Sequence, residues 1–293
     1  MASRNYIWLN GQFFDGGNPV INFENRAFRY GDGVFETIHA FGTQPRHLPL
    51  HFRRLLQGMK ILELVAPTWL TEQNLELAIT KLLNKNRLFD SARVRVTGYR
   101  DDGGFYIPST SNASVLIDTQ PLAAKMYTLN QQGCIVGIYD EIKKPLNTLS
   151  GVKSCNALLF VKAGLYCMAN NLDDCIILNE QGRVAEAISS NVFVVRGGKL
   201  YTPSLAEGCI PGIMRELVCT VAPTVGIEVN NQVAINPSAF DSCDEVFLTN
   251  AISGIKWVVG IGTRRYFNRV SRTLSEALNR FTFPDQFRAG FSG

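Results

Sequence analysis

VAEAISSNVFVVRGGKLYTPSL (184–205) holds two short apolar runs, Val192–Val195 and Leu200–Thr202, on either side of Gly197-Gly198. The pattern reads as a β-hairpin. Just upstream, Glu186 stands among Val184, Ala185, Ala187 and Ile188. A carboxylate in so apolar a setting is costly to bury unless a cation meets it. An edge-strand glutamate facing water fits the same residues.

Strand patterns continue on both sides of this hairpin, at Cys134–Tyr139 and Asp174–Leu178 before it and at Glu228–Ile235, Glu245–Thr249 and Ile255–Ile261 after it. Helical spacing covers Asn156–Ala169, Ile213–Val221 and Val270–Phe281, and Asn236-Pro237 is a helix-start signal. The earlier residues read as a hairpin on Asn10-Gly11, a strand over Val34–Phe41, helices over Leu50–Leu64 and Thr71–Asn86, and strands over Ala92–Tyr99 and Ser114–Asp118. Strands do not alternate with helices as in a doubly wound sheet. The expected fold is α+β in two domains, residues 1–120 and 134–293, joined by a connection over 121–133.

The 293 residues are 46% hydrophobic and 18% charged, enough for a substantial core and against global disorder. A net charge of +4, spread along the chain, suits anionic metabolites without calling for nucleic acid. The seven cysteines are odd in number, form no CxxC pair and mostly lie in apolar contexts. Free thiols in a reducing cytoplasm fit them better than disulfides or a metal site. No apolar run has the length of a membrane span, and MASRNYIWLNGQFF does not read as a signal peptide.

Three elements carry chemistry. Lys153, in LSGVKSCN (149–156), follows Ser150-Gly151 in an apolar setting. A lysine amine is nucleophilic only when desolvated or set beside other cations. Alone, a solvated loop lysine is the plainer reading. Glu186 would suit a protonated ring nitrogen. PGIMRE (211–216) opens a helix, and free N–H groups there favour an anion, with Gly212 allowing close backbone approach. Thr249-Asn250-Ala251 ends a strand as a second possible cradle, and Arg54 on the 50–64 helix could add a charge-assisted bond. For Arg54 an exposed helical arginine is the plainer alternative.

In order, RAFRYGDGVFETI (26–38), HFRRL (51–55), KSCN (153–156), GRVAEAISSNVF (182–193), YTPSL (201–205), PGIMR (211–215) and DEVFLTNAISGI (244–255) resemble the class IV aminotransferases, the fold type IV pyridoxal phosphate enzymes. That family includes branched-chain and D-amino acid aminotransferases and aminodeoxychorismate lyase. The resemblance covers nearly the whole chain. It implies a smaller N-terminal α/β sandwich and a larger barrel-like domain, with an active site between them and a homodimer in which a partner loop completes the pocket. It further implies pyridoxal 5′-phosphate held as a Schiff base on Lys153, with Glu186 on the pyridine nitrogen. Arg54, Gly212, the amides of Ile213 and Met214, and the polar atoms around Asn250 and Ala251 would hold the phosphate. Ser190 and Asn191 would help position the ring, and Phe35 and Arg95 would lie toward the substrate.

The implied activity is transamination between an amino acid and a keto acid. The alternatives are the lyase reaction, releasing pyruvate and 4-aminobenzoate, and a cofactor-binding protein without turnover. DGGFYIP (102–108) lacks the Arg-x-His pair by which D-amino acid aminotransferases trap a carboxylate. SCNA after the lysine lacks the tyrosine usual in branched-chain enzymes, and NTLSGVKSCN and TNAISGI are more similar to the lyase branch.

Overall fold

The computed structural model describes residues 5–288. The chain divides into two compact units, Met1–Lys125 with Val152–Ala157, and Met126–Gly151 with Leu158–Gly293. The short segment carrying Lys153 therefore packs with the first unit, whereas the sequence reading placed it within one domain over 134–293.

The first unit contains β1 (Tyr6–Leu9), β2 (Gln12–Asp15), α1 (Arg26–Tyr30), β3 (Gly33–Phe41), β4 (Gln44–Pro45), α2 (Leu48–Ile61), α3 (Glu72–Lys85), β5 (Ser91–Arg100) and β6 (Ala113–Pro121). The strands form one antiparallel sheet in the order β2-β1-β6-β5-β3-β4. Asn10 and Gly11 both take positive φ, 45° and 97°, as a type I′ turn requires. The Thr71 side chain caps α3 by accepting from the Asn74 amide. Along α3, Leu75, Ile79, Leu82 and Leu83 are buried, and each such side chain contributes roughly 1.5–3 kcal/mol. They join Leu55 and Met59 of α2 and Ile38, Val94, Val96 and Val115 of the sheet in one core. Helix α2 ends at Ile61, short of the expected Leu64, because Glu63 turns to a φ of 55°.

The second unit contains β7 (Cys134–Lys144), α4 (Leu158–Asn170), β8 (Asp174–Asn179), β9 (Val184–Ala187), β10 (Asn191–Arg196), β11 (Lys199–Pro203), α5 (Ile213–Val221), β12 (Val229–Val233), β13 (Glu245–Asn250), β14 (Gly254–Ile261), β15 (Arg264–Arg265), α6 (Arg269–Thr282) and α7 (Pro284–Arg288). Its sheet runs β12-β11-β10-β13-β14-β7-β8-β9, with β15 on β14. The pairs β11–β12, β14–β7 and β7–β8 are parallel and the rest antiparallel. The last strand of that order, β9, returns toward the opposite end of the sheet, against β10 and β11. Ala187 N donates to Ser190 O at 2.8 Å and Val184 N to Ile235 O at 2.8 Å, which curls the sheet into a half-barrel. Val136, Ile176, Val192, Val194, Val246, Leu248 and Val258 fill its core.

The fold is thus α+β in two units, with the hairpin at Gly197-Gly198 in place. Asn236-Pro237 opens only the 3₁₀ turn Pro237–Asp241, and the Asn236 side chain makes no capping bond. Among the described residues no helix is long and apolar enough to cross a membrane, and no group of three or more His, Cys, Asp or Glu could hold a metal.

Candidate active-site residues

In the first unit, residues 153–155 add a short antiparallel rung to the start of β3. Phe35 N donates to Lys153 O at 2.9 Å and Cys155 N to Gly33 O at 2.8 Å, around a Val34–Ser154 bridge. The Gly31 turn permits this approach. Gly31 caps α1 at a φ of 69°, and a Cβ there would lie 3.1 Å from the Asn156 backbone. Lys153 is half-buried, and its Nζ lies 4.4 Å from the centre of the Phe35 ring. Arg95, on neighbouring β5, stacks on the same ring with Cζ at 3.7 Å. Burial lowers the pKa of Arg95, and Cys155 and Asp118 oppose that shift. The structure therefore brings Phe35, Arg95 and Lys153 together.

Arg54 is not the exposed helical arginine its sequence context allowed, for its side chain is 11% exposed. Its Nε and Nη2 donate to Glu36 Oε1 and Oε2 at 2.7 and 2.6 Å. His51, one turn earlier on the same face of α2, brings Nδ1 to 2.6 Å from Glu36 Oε2. Burial pushes the Glu36 carboxyl up, but the charge and hydrogen bonds of Arg54 and His51 outweigh it and hold the pKa at about 2. Burial also lowers His51, against the pull of Glu36. A neutral imidazole facing an ionised carboxylate must carry its proton on Nδ1. Lys153 is near enough for its charge to lower His51 as well.

A second ionic cluster shapes the loop after β5. Asp32 Oδ2 accepts from Arg26 Nε and Arg100 Nε, both at 2.9 Å. Arg26 Nη1 then donates to the carbonyls of Gly103, Gly104 and Phe105, and Arg100 Nη2 to Leu62 O. The Arg, Asp and Glu of RAFRYGDGVFE thus fix the loop and Arg54.

In the second unit, Glu186 sits in β9 at 3% exposure. Its Oε1 accepts from Lys144 Nζ, itself buried at the end of β7, and its Oε2 from Ile210 N at 3.0 Å. Asn191 Nδ2 donates to Ile210 O at 2.9 Å. Ile210 thus ties the carboxylate to the segment that opens α5. Gly212 is the N-cap of α5 and offers no side chain to the amides of the first turn, where Ile213 and Met214 stand. A Cβ on Gly212 would lie 1.8 Å from Asn191 Oδ1. Opposite Asn191 in the sheet, Thr249 carries a buried hydroxyl with no hydrogen-bond partner among the described residues. Asn250 Nδ2 donates to Ser190 Oγ at 3.1 Å, and Asn250 Oδ1 accepts from Ile252 N and Ser253 N, which turns the chain at Ala251. A helix start without a capping side chain and an unpartnered buried hydroxyl suit a phosphate. The buried, doubly hydrogen-bonded carboxylate suits a cationic ring nitrogen. The donor set fits a phosphorylated pyridine cofactor.

Glu36, His51 and Lys144 were missed, and Thr249 was read only as part of the 249–251 cradle and not for its hydroxyl. The first two lie inside the quoted motifs RAFRYGDGVFE and HFRRL, which was the available signal. Lys144, nine residues before Lys153, gave none.

The profile described as "Amino-transferase class IV" matches residues 33–261. A "Putative branched-chain-amino-acid aminotransferase" of Methanocaldococcus jannaschii is 28% identical over 90% of this chain and 90% of that protein. An "Aminodeoxychorismate lyase" of Bacillus subtilis is 30% identical over 84% of this chain and 83% of that protein. The solved branched-chain aminotransferase of the thermophilic archaeon Thermoproteus uzoniensis, with norvaline, superposes with a TM-score of 0.88, covering 97% of this chain and 97% of that one at 25% identity. With this match spanning both units and their motifs, the chain is an enzyme of the class IV aminotransferase family.

Proposed function

We propose that this enzyme is a pyridoxal 5′-phosphate-dependent aminotransferase that moves an amino group between an amino acid and a keto acid. The observation that carries the reading is the continuity from Glu186 through Ile210 to the uncapped start of α5. It joins an acceptor for a ring N–H to a cradle for a phosphate.

When bound, the cofactor supplies an electron sink for the bond broken at the substrate α-carbon. The chain's own residues do the rest. The Lys153 amine would hold the cofactor and, once the substrate's amino group has displaced it, would take the α-proton and hand it back. Its backbone, hydrogen-bonded to Phe35, fixes where that amine starts. Glu186, ionic with Lys144, accepts from the ring nitrogen and keeps it protonated. Gly212, the amides of Ile213 and Met214, Arg54 and the polar groups around Asn250 and Ala251 hold the phosphate. Ser190 and Asn191 keep the strand ends and the α5 start in register with the ring. Arg95, stacked on Phe35, meets the substrate carboxylate. A homodimer in the cytoplasm belongs to the same reading, supported by the family resemblance and by seven free thiols.

A second reading has a specific support, the 30% identity to a lyase against 28% to a branched-chain relative. The two are separated by products. Purified enzyme is offered a panel of L- and D-amino acids with keto acceptors, and separately aminodeoxychorismate. Keto acid formation that disappears in Lys153→Ala is expected. Pyruvate and 4-aminobenzoate as the main products would overturn the aminotransferase assignment in favour of the lyase. A yellow protein whose absorbance band shifts with no amino acid would leave a binding protein without turnover.

A further inference from the structure

Glu36 and His51 have no part in the reaction derived above, yet both side chains are 2% exposed and converge on Arg54. Burying a carboxylate, an imidazole and a guanidinium together is expensive, and apolar residues of similar volume would stabilise the core at least as well. The geometry points to a different use. Glu36 takes the Nε–Nη2 edge of the guanidinium in two parallel bonds of 2.7 and 2.6 Å. That contact fixes the rotation of the planar fork and so the direction of its Nη1 corner. His51 supplies a third bond, from Nδ1 to Glu36 Oε2, which orients the carboxylate in turn. The three residues form a chain in which an imidazole from α2 aims a carboxylate from β3, and the carboxylate aims an arginine from α2.

We propose that Glu36 and His51 are positioning residues for Arg54, which set its guanidinium for the phosphate monoester of the cofactor before that group arrives. The proposal rests on the reading of Arg54 as a phosphate ligand. Ordering a flexible arginine in advance removes an entropic cost from binding.

The sign of the effect separates aiming from charge. Glu36 is ionised at neutral pH, so Glu36→Gln raises the net positive charge beside the phosphate ligand. If charge alone mattered, affinity for a phosphate ester would rise. If aim matters, it falls, by about tenfold for one side chain released from a fixed rotamer.

The experiment measures equilibrium dissociation constants of the full-length apoprotein for pyridoxal 5′-phosphate and for pyridoxal, which lacks the phosphate. In Glu36→Gln the phosphate ester is expected to bind about tenfold more weakly and pyridoxal unchanged. His51→Gln is expected to lose affinity in the same phosphate-specific way, by a smaller factor. Equal losses for both ligands, no loss, or a gain for the phosphate ester would overturn the proposal. If Glu36→Gln does not fold, the same comparison on His51→Gln decides. Arg54→Gln separates the two levels. It should abolish most of the preference for the phosphate ester. If the preference survives in Arg54→Gln, the reading of Arg54 has failed. If it is abolished there but survives in Glu36→Gln, only the positioning proposal has failed.

Discussion

Lys144 and Glu186 form an ion pair in which both side chains are almost wholly buried, 5% and 4% exposed. The pair joins the end of β7 to β9, and the carboxylate's other oxygen holds Ile210. Removing one partner of a buried pair strands the other. Lys144→Met is expected to destabilise the protein by about 3–5 kcal/mol, whereas Lys144→Met with Glu186→Leu should cost less than either single change. Urea unfolding of the two single variants and the double variant tests this. A double variant as unstable as the sum of the singles would refute it.

Acid should unfold the protein in two windows. Burial, then Arg46, lower His39 from 6.5 to about 4. The unfolded chain therefore binds its proton first, and stability from a neutral His39 is present above pH 6.5 and lost as pH falls to 4. Glu36 is lowered from 4.5 to about 2, so its share is present above pH 4.5 and lost as pH falls through 2. The Glu36 share is about 3 kcal/mol. Unfolding free energies measured across pH should fall less steeply between 6.5 and 4 in His39→Gln, where His47, lowered over the same range, still titrates, and less steeply between 4.5 and 2 in Glu36→Gln.

Gly212 has no room for a side chain. Gly212→Ala puts a methyl 1.8 Å from Asn191 Oδ1 and forces the amide off Ile210. The expected cost is about 1–3 kcal/mol of stability, together with weaker cofactor binding in dialysis. Gly164, within α4, meets nothing within 4 Å at the same position. Gly164→Ala should therefore stabilise, by about 0.5–1 kcal/mol, in the same unfolding assay.

The loop over 100–112 depends on charge as much as on its own sequence. Asp32→Asn leaves Arg26 and Arg100 facing each other without an anion. We expect a loss of about 1.5–3 kcal/mol. Amide hydrogen exchange should rise first at Asp101 and Ser109, whose N–H groups bond Asn112 O and Gly103 O in the loop that Arg26 holds by the carbonyls of Gly103–Phe105. Unchanged exchange there would show that the loop is ordered by other contacts.

Much was legible in the sequence because it is local. Period-2 and period-3.6 patterns placed the strands and helices, and Asn10-Gly11 and Gly197-Gly198 turned the hairpins for a reason stated by φ alone. Lys153, Glu186 and the 211–215 helix start stood out by their motifs. What could not be read was pairing across long separations. Glu36 and Arg54 are 18 residues apart, Lys144 and Glu186 are 42 apart, and Asp32 and Arg100 are 68 apart. Nothing in one chain's local pattern says which cation meets which carboxylate.

The elements therefore follow from side-chain type and spacing along the chain, and the family from the resemblance that the ordered motifs carry. Folding in three dimensions was needed to assign Val152–Ala157 to the first unit as a rung on β3, and to share Glu186 between Lys144 and Ile210. One cost explains both cases. Burial makes an unpaired peptide group or charge expensive, and the partner that relieves the cost is chosen by the fold in space, not by distance along the chain.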